Sequence, residues 1–274
     1  MGLTDTVTLH NGVQMPQFGL GVWQVDDGDE VIHSVKWALE AGYRMVDTAA
    51  AYGNEKGVGQ AIKESGVSRD DIFVTTKVAN SNQGYEETLA AFEDSIKKLG
   101  LETLDLYLIH WPVAESFVDT WKAMEKLYKD GRIRAIGVCN FHQHHFEKLM
   151  ETAEIKPMVN QIELHPYLNQ EPLRQFCKEQ DIVVEAYSPL GSGNLLQNED
   201  LKAIGEKYGK SPAQVMLRWD IQHGIVTIPK SVHKERIQEN ADIFDFELSQ
   251  EDMDEIDRLN QDHRFGWNPE RFDK

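Results

Sequence analysis

The sequence has little cysteine, no long apolar run and no excess of positive charge. Its two cysteines, Cys139 and Cys177, lie far apart and form no CxxC pair, so neither a disulfide framework nor a zinc knuckle is expected. No stretch approaches the ~20 apolar residues of a membrane span. The first residues lack the basic start and apolar segment of a signal peptide. These absences predict a cytoplasmic protein with no membrane partner.

The charge balance is strongly acidic. The 274 residues include 28 Lys or Arg and 46 Asp or Glu, which gives a net charge of −18. Such a chain repels nucleic acid, so nucleic acid is not an expected partner. A phosphate-bearing ligand would need a locally basic site. We expect a monomer that binds small molecules.

The chain also lacks the glycine fingerprint of a doubly wound dinucleotide-binding sheet, because segment 19–24 reads GLGVWQ and has no third glycine. Eight short apolar runs alternate instead with helical patterns, which predicts βαβ units and favours a closed α/β barrel over an open sheet. A (β/α)8 TIM barrel typically needs ~250 residues, so residues 1–274 are expected to form one domain. The runs are Phe18–Leu20, Met45–Asp47, Ile72–Lys77, Leu104–His110, Arg134–Cys139, Val159–Glu163, Ile182–Tyr187 and Ile225–Pro229. Asn54 is expected to be the N-cap of the helix that ends at Gly66.

Two additions flank the predicted barrel. Residues 6–16 alternate in polarity around Asn11-Gly12, and Asn-Gly between short apolar segments is a strong hairpin signal. After the eighth unit, Ser249–Leu259 has a helical pattern with an acidic first turn. We therefore expect an N-terminal β-hairpin and an extra C-terminal helix, followed by a short irregular tail.

Polar residues collect where the apolar runs end. Asp47, Lys77 and His110 each end a run, and Tyr52 lies on the loop after Asp47. In a barrel, the carboxyl ends of the strands carry the chemistry. A phenol has a pKa near ~10, and a lysine ammonium within reach is expected to lower it and make Tyr52 an effective general acid. Lys77 would be that cation, Asp47 would hold it, and His110 would donate a hydrogen bond to a carbonyl or relay a proton.

Further motifs accompany these four residues. They are DTAAAYGNE, the Lys77 strand, LIHWP, Asn140-Phe141, NQIELHP, YSPLG, and IPKS followed by Arg236 and Glu239-Asn240. Together they span nearly the whole chain, from Gly19 to Asn240, and resemble the motifs of the aldo-keto reductases. Within that family the chain resembles the short-tailed bacterial members that reduce glyoxal, methylglyoxal or 2,5-diketo-D-gluconate. Taken singly, each of the four polar residues is most simply a packing, capping or ion-pairing residue. Their joint match to the catalytic tetrad of the family favours catalysis.

The resemblance implies an NADPH-dependent reductase of aldehydes and α-dicarbonyls, with Tyr52 as proton donor. It places Tyr187 on the nicotinamide and Asn140 and Gln161 at its carboxamide. Cys139 replaces the usual serine, which exchanges a good hydrogen-bond donor for a weak one. The implied cofactor site comprises Asn140, Gln161, Tyr187, Ser188, Leu190, Lys230, Ser231, Arg236, Glu239 and Asn240.

Within that set, Lys230, Ser231 and Arg236 would hold the adenosine 2′-phosphate, and Ser231 is the expected N-cap of the following helix. The implied substrate pocket is formed by Trp23, Tyr52, His110 and Trp111, and Trp267 is expected to narrow its entrance.

Three histidines, His142, His144 and His145, crowd the start of one predicted helix. No carboxylate or cysteine is paired with them in the sequence, so we interpret them as an exposed helix face and expect no metal.

A sugar or ketone substrate such as 2,5-diketo-D-gluconate is the alternative to a small dicarbonyl. Two other classes are disfavoured: a nucleotide-binding sensor or accessory subunit by the intact tetrad, and a metal-dependent hydrolase by the lack of a carboxylate–histidine cluster.

Overall fold

The computed structural model describes residues 1–274 without a gap. Its first two strands pair antiparallel, with Thr6 opposite Pro16, and the predicted N-terminal hairpin is confirmed. The strands are β1 (Thr6–Thr8), β2 (Gln14–Pro16), β3 (Leu20–Gly21), β4 (Met45–Asp47), β5 (Phe73–Val78), β6 (Leu104–Ile109), β7 (Ile133–Cys139), β8 (Val159–Glu163), β9 (Val183–Tyr187) and β10 (Val226–Thr227).

Strands β3 to β10 form a parallel sheet in chain order that closes on itself. The ring is completed where Phe18 bridges Thr227 in parallel register and the Gly21 amide donates to the Pro229 carbonyl at 3.1 Å. A Cβ at Gly21 would lie 2.9 Å from the Ile228 carbonyl oxygen, so glycine lets the first and last barrel strands approach. The predicted (β/α)8 barrel is confirmed.

Ten helices surround the barrel. They are α1 (Asp29–Glu40), α2 (Glu55–Glu64), α3 (Tyr85–Leu99), α4 (Phe117–Lys129), α5 (Gln143–Met150), α6 (Glu171–Glu179), α7 (Glu199–Tyr208), α8 (Pro212–Gln222), α9 (Lys234–Ala241) and α10 (Gln250–Asp257). Helix α10 is the predicted extra helix, and the Ser249 side chain caps it by accepting a hydrogen bond from the Asp252 amide. None of the helices combines the length and the apolar character that a membrane crossing requires.

One helix start differs from the expectation. Asn54 precedes α2, where an asparagine usually caps the first turn, but its side chain makes no capping hydrogen bond. The amide nitrogen donates instead to the carbonyls of Val22 and Val25, both at 2.9 Å, and the Thr48 hydroxyl donates to its oxygen. The predicted cap is wrong because Asn54 is buried and joins the loops after β3 and β4.

A contiguous apolar core joins the strands to the helices. Against it, several charged and amide side chains are buried inside the barrel. Burying such groups costs free energy unless they are paired. A cluster of them inside the barrel therefore indicates a functional site. These residues are Asp47, Lys77, Asn140, Gln161, Glu163 and Glu185.

Candidate active site

Lys77 lies at the centre of the candidate site. Its ammonium donates to Asp47 Oδ2 at 2.7 Å, to the Thr48 carbonyl at 3.0 Å and to the Tyr52 hydroxyl at 3.2 Å. An ammonium has three donors, and all three are used. The short turn Ala50–Tyr52 returns the chain over the end of β4, which is why residues close in sequence converge on one lysine from the next strand.

The charges around Lys77 set the protonation of the site. Burial alone would lower the pKa of Lys77, but the Asp47 carboxylate reverses the shift and the pKa ends well above its ordinary value. Burial raises the pKa of Tyr52 to about 12, although the Lys77 charge opposes the rise. The expectation that Lys77 brings the Tyr52 pKa below the ordinary value is therefore wrong in its net effect, because desolvation outweighs the lysine. Tyr52 keeps its proton throughout the neutral range.

His110 follows the end of β6 and completes the group. Its ring meets the Tyr52 ring edge to face, with centroids 5.7 Å apart. Burial, and then the Lys77 charge, lower the pKa of His110 to about 3. The imidazole is therefore neutral near pH 7. Of its two expected roles, hydrogen-bond donation fits a neutral ring better than a proton relay through the imidazolium.

Asn140 links the catalytic candidates to Tyr187. Its backbone φ of 63° lies in the left-handed region that asparagine tolerates. Its amide nitrogen donates to the His110 carbonyl at 3.0 Å, and its oxygen accepts from the Tyr187 hydroxyl at 2.7 Å. The Tyr187 hydroxyl is thus engaged, and its half-buried ring is held at the end of β9.

Gln161 is hydrogen-bonded to the oxygen of the Asp47 carboxylate that Lys77 does not contact. Its amide nitrogen donates to Asp47 Oδ1 at 2.7 Å and to Glu185 Oε2 at 3.0 Å. Its oxygen meets only the Cys139 thiol, with the sulfur 3.8 Å away. The residues expected to hold a carboxamide are therefore hydrogen-bonded directly to the residues expected to catalyse.

The remaining cofactor candidates lie on the loops after β9 and β10. Ser188 has a φ of 49°, which turns the chain away from the strand, and Leu190 is half-buried beyond it. Ser231 and Asn240 are buried. Lys230, Arg236 and Glu239 are exposed.

The predicted phosphate cluster differs from the expectation in one respect. Helix α9 begins at Lys234 with His233 in the capping position, so the expectation that Ser231 caps it is wrong. The Ser231 hydroxyl instead accepts a hydrogen bond from the His233 amide at 3.1 Å. Lys234 is 3.6 Å from Glu40, whereas Lys230 and Arg236 take part in no ion pair. Both cations are available to an anion.

Aromatic rings surround the mouth of the barrel. Trp111 lies beside His110, and its ring centroid is 5.8 Å from that of Trp267 and 5.1 Å from that of Phe272. Trp267 is 55% exposed, as a residue at an entrance would be. Trp23 is also exposed, on the loop after β3, and makes no ring contact with the others.

The tail is fixed across this mouth at two points. Glu163 at the end of β8 accepts hydrogen bonds from the Phe265 amide at 2.7 Å and the Gly266 amide at 3.0 Å. Further along, the Ala114 amide donates to the Phe272 carbonyl at 3.1 Å. The short tail is thus positioned by a buried carboxylate and by the loop after β6.

Asp273 explains the histidines of α5. Its carboxylate contacts His145 Nε2 at 2.6 Å and His144 Nε2 at 3.0 Å. His144 is exposed as expected, but His145 is only 3% exposed, so the interpretation as an exposed helix face is wrong for His145. The sequence could not indicate this partner because it lies 128 residues away.

Sequence reasoning missed Glu163 and Glu185 as parts of the site. Both are buried carboxylates, Glu163 at the end of β8 and Glu185 in the middle of β9. A signal was present, because Glu185 lies two residues before Tyr187 and alternate residues of a strand face the same side. A charged residue on the same side as a candidate ligand residue indicates a role at the site.

The family comparison agrees with this geometry. Residues 17–261 match the sequence model of the Aldo/keto reductase family. The chain belongs to this family. It is 64% identical over 270 residues to a glyoxal reductase of Bacillus subtilis, covering 98% of each chain. It is 60% identical over 271 residues to a 9,11-endoperoxide prostaglandin H2 reductase of Trypanosoma cruzi, covering 98% of this chain and 96% of the relative.

Two further proteins are similar to this chain over nearly its full length. The methylglyoxal reductase DkgA of Escherichia coli is 44% identical over 276 residues, and the match covers 99% of each chain. Among solved structures, a mutant of Gox0644 in complex with NADPH is 44% identical, has a TM-score of 0.93 and is matched over 97% of each chain.

Proposed function

We propose that this aldo/keto reductase reduces small aldehydes and α-dicarbonyls, such as glyoxal and methylglyoxal, to alcohols with NADPH, and that Tyr52 is the proton donor. The observation that carries the catalytic assignment is the contact of the Lys77 ammonium with both Asp47 and the Tyr52 hydroxyl. The substrate class is supported by the glyoxal and methylglyoxal reductases, which this chain matches over nearly its full length.

The residues present fit NADPH. In a chain with a net charge of −18, the unpaired Lys230 and Arg236 provide the local basic group that a 2′-phosphate needs. The Tyr187 ring is half-buried with its hydroxyl already bonded to Asn140, which suits stacking. The Gln161 amide oxygen meets only the Cys139 thiol, a weak donor, and has a second lone pair for a carboxamide N–H. The cofactor supplies the hydride, and the protein binds, orients and supplies the proton.

Tyr52 and His110 act on the carbonyl oxygen in this proposal. That oxygen gains negative charge as its carbon is reduced, and donors fixed in advance stabilise the charge. The neutral His110 ring provides one N–H and Tyr52 provides its O–H. When Tyr52 releases its proton, the Lys77 ammonium at 3.2 Å stabilises the phenolate, while Asp47 keeps Lys77 charged and in place.

The deciding experiment measures NADPH oxidation by methylglyoxal in the wild type and in Tyr52→Phe. General acid catalysis typically contributes ~10²–10⁴-fold, so we expect at least ~10²-fold less turnover in the variant. NADPH affinity, followed by protein fluorescence, should stay within about 3-fold, since Asn140, Gln161 and Tyr187 are untouched. Tyr85→Phe is the matched control, because Tyr85 is an exposed tyrosine on α3 outside the site. Equal turnover in all three proteins would refute the role of Tyr52, and tight NADPH binding without turnover of any carbonyl by the wild type would favour a sensor.

We infer further that the protein works as a cytoplasmic monomer without a nucleic acid or membrane partner. The acidic charge supports the absence of polyanionic partners. Both cysteines are free and buried, which fits a reducing compartment. A mass about twice that of the chain in light scattering would contradict the monomer.

A further inference from the structure

Glu185 is a carboxyl group buried in the barrel wall with an incomplete set of partners. It lies on β9 opposite Gln161 of β8, and none of its surface is exposed. Its Oε2 accepts a hydrogen bond from Gln161 at 3.0 Å, whereas its Oε1 has no partner. A partly satisfied buried carboxyl destabilises a fold, and this one is hydrogen-bonded directly to a candidate cofactor-binding residue.

A continuous chain of hydrogen bonds connects Glu185 to Tyr52. Gln161 donates to Glu185 at 3.0 Å and to Asp47 Oδ1 at 2.7 Å. Asp47 Oδ2 accepts from Lys77 at 2.7 Å, and Lys77 donates to the Tyr52 hydroxyl at 3.2 Å. Gln161 and Asp47 each take part in two of these hydrogen bonds. A shift of the Gln161 amide therefore moves the Asp47 carboxylate relative to the Lys77 ammonium.

Only one orientation of the Gln161 amide satisfies both carboxyl groups. Its two N–H donors point to Asp47 and Glu185, and its oxygen meets only the Cys139 sulfur at 3.8 Å. Reversing the amide would place its oxygen against the Asp47 carboxylate, which has no proton to donate, and would lose the 2.7 Å hydrogen bond. The hydrogen bonds to the two carboxyl groups therefore keep the amide oxygen turned away from them, where only the Cys139 thiol, a weak donor, meets it.

We propose that Glu185 is a positioning residue of this site: together with Asp47 it fixes the Gln161 amide, so that the amide oxygen is free for the carboxamide of NADPH and Asp47 stays aligned on Lys77. This inference rests on the proposed function, in which Gln161 binds the cofactor. Glu185 acts through Gln161 and makes no hydrogen bond to Tyr52 or Lys77.

The charge of Glu185 gives the proposal a pH signature. The charged and titratable groups that face it are Asp47, Lys77 and the Cys139 thiol. Burial, and then the charge of Asp47, raise the pKa of Glu185 to about 8, so the carboxyl is neutral at pH 7 and ionises above it. An ionised Glu185 adds a second negative charge behind Asp47, which opposes the phenolate of Tyr52. Reduction should therefore slow as the pH rises through about 8.

Two variants separate the hydrogen bond from the charge. Glu185→Leu removes the acceptor, and we expect NADPH to bind ~10-fold more weakly, the usual effect of a lost buried partner. Glu185→Gln keeps the size and one acceptor but cannot ionise. It should bind NADPH within about 3-fold of the wild type, and its kcat/KM should lack the fall above about pH 8. Asp220→Asn is the matched control, because Asp220 is a buried carboxyl that bonds to Thr227 outside the site.

Wild-type NADPH affinity in Glu185→Leu, together with an unchanged pH profile in Glu185→Gln, would overturn the proposal and leave Glu185 as a space-filling residue. If the leucine variant does not fold, the pH profile of the glutamine variant decides. If the wild type binds NADPH but reduces no carbonyl, the proposed function fails, while the NADPH affinities of the variants still decide the role of Glu185.

Discussion

Replacing Lys77 by methionine is the most demanding test of the buried ion pair. The side chain is fully buried, and methionine fills a similar volume without the charge. Asp47 would keep only its hydrogen bond from Gln161. Removing one partner of a buried pair typically costs ~3–5 kcal/mol, because the other charge is left uncompensated. We expect the free energy of unfolding, measured in urea, to fall by about that amount.

Turnover should fall for a second reason. At the 3.2 Å between the Lys77 ammonium and the Tyr52 oxygen, two unit charges at an effective dielectric constant of ~20 attract by about 5 kcal/mol. Proton transfer is incomplete in the transition state, so we take about half of this as the loss. A barrier higher by that amount lowers kcat by about 10²-fold.

The double variant Asp47→Asn/Lys77→Met separates the two effects. Without the orphan carboxylate it should regain most of the lost stability, whereas its kcat for methylglyoxal should stay as low as that of Lys77→Met. Recovery of turnover in the double variant would show that Lys77 serves only to neutralise Asp47. A single variant as stable as the wild type would show that the pair is not buried as described.

Four further predictions follow from the same geometry. Because the pKa of His110 is lowered to about 3, kcat/KM should show no inflection near pH 6.5, and an inflection removed by His110→Gln would contradict a neutral ring. Arg236→Ala should raise the Kd of NADPH by ~10-fold and leave that of NADH unchanged, measured by fluorescence; equal losses would remove Arg236 from the phosphate site. Asp273→Asn should raise KM for methylglyoxal more than it lowers kcat, because it loosens the tail at His145; unchanged kinetics would separate the tail from the pocket. The raised pKa of Glu185 contributes stability that is present below about pH 4 and is lost as the pH rises through about 8. Glu185→Gln should therefore show a smaller fall in Tm over that range than the wild type, and parallel curves of Tm against pH for the two proteins would contradict the shift.

The barrel was predictable because its signal is local and repeated. Each apolar run ends within two residues of the end of a strand in the structure. The runs Met45–Asp47 and Val159–Glu163 have the same bounds as strands β4 and β8. Parallel strands place their carboxyl ends at one face. The convergence of Asp47 and Lys77 therefore follows from the order of the strands.

The features of the site that the sequence could not predict depend on burial and on contacts that form only in the folded chain. The pKa of Tyr52 depends on whether desolvation or the Lys77 charge is larger, and burial decides that balance only in the folded barrel. The contact between His145 and Asp273 joins a helix from the middle of the chain to the end of the tail, which no pattern of spacing encodes. The Asn54 side chain fails as a cap for the same reason, because distant carbonyls compete for it.

The site holds one ion pair among groups that burial keeps neutral. Asp47 and Lys77 carry opposite charges, while the protonated forms of Tyr52 and Glu185 and the neutral ring of His110 are favoured near pH 7. Lys77 is then the only cation among these groups, and it contacts the oxygen of Tyr52. Proton release by Tyr52 creates a negative charge next to the ammonium, and a second anion behind Asp47 would compete for it. Lys77 therefore has to contact the proton donor Tyr52, and Asp47 is needed to keep Lys77 in place. Ionisation of Glu185 adds a competing negative charge, so it should slow the reaction.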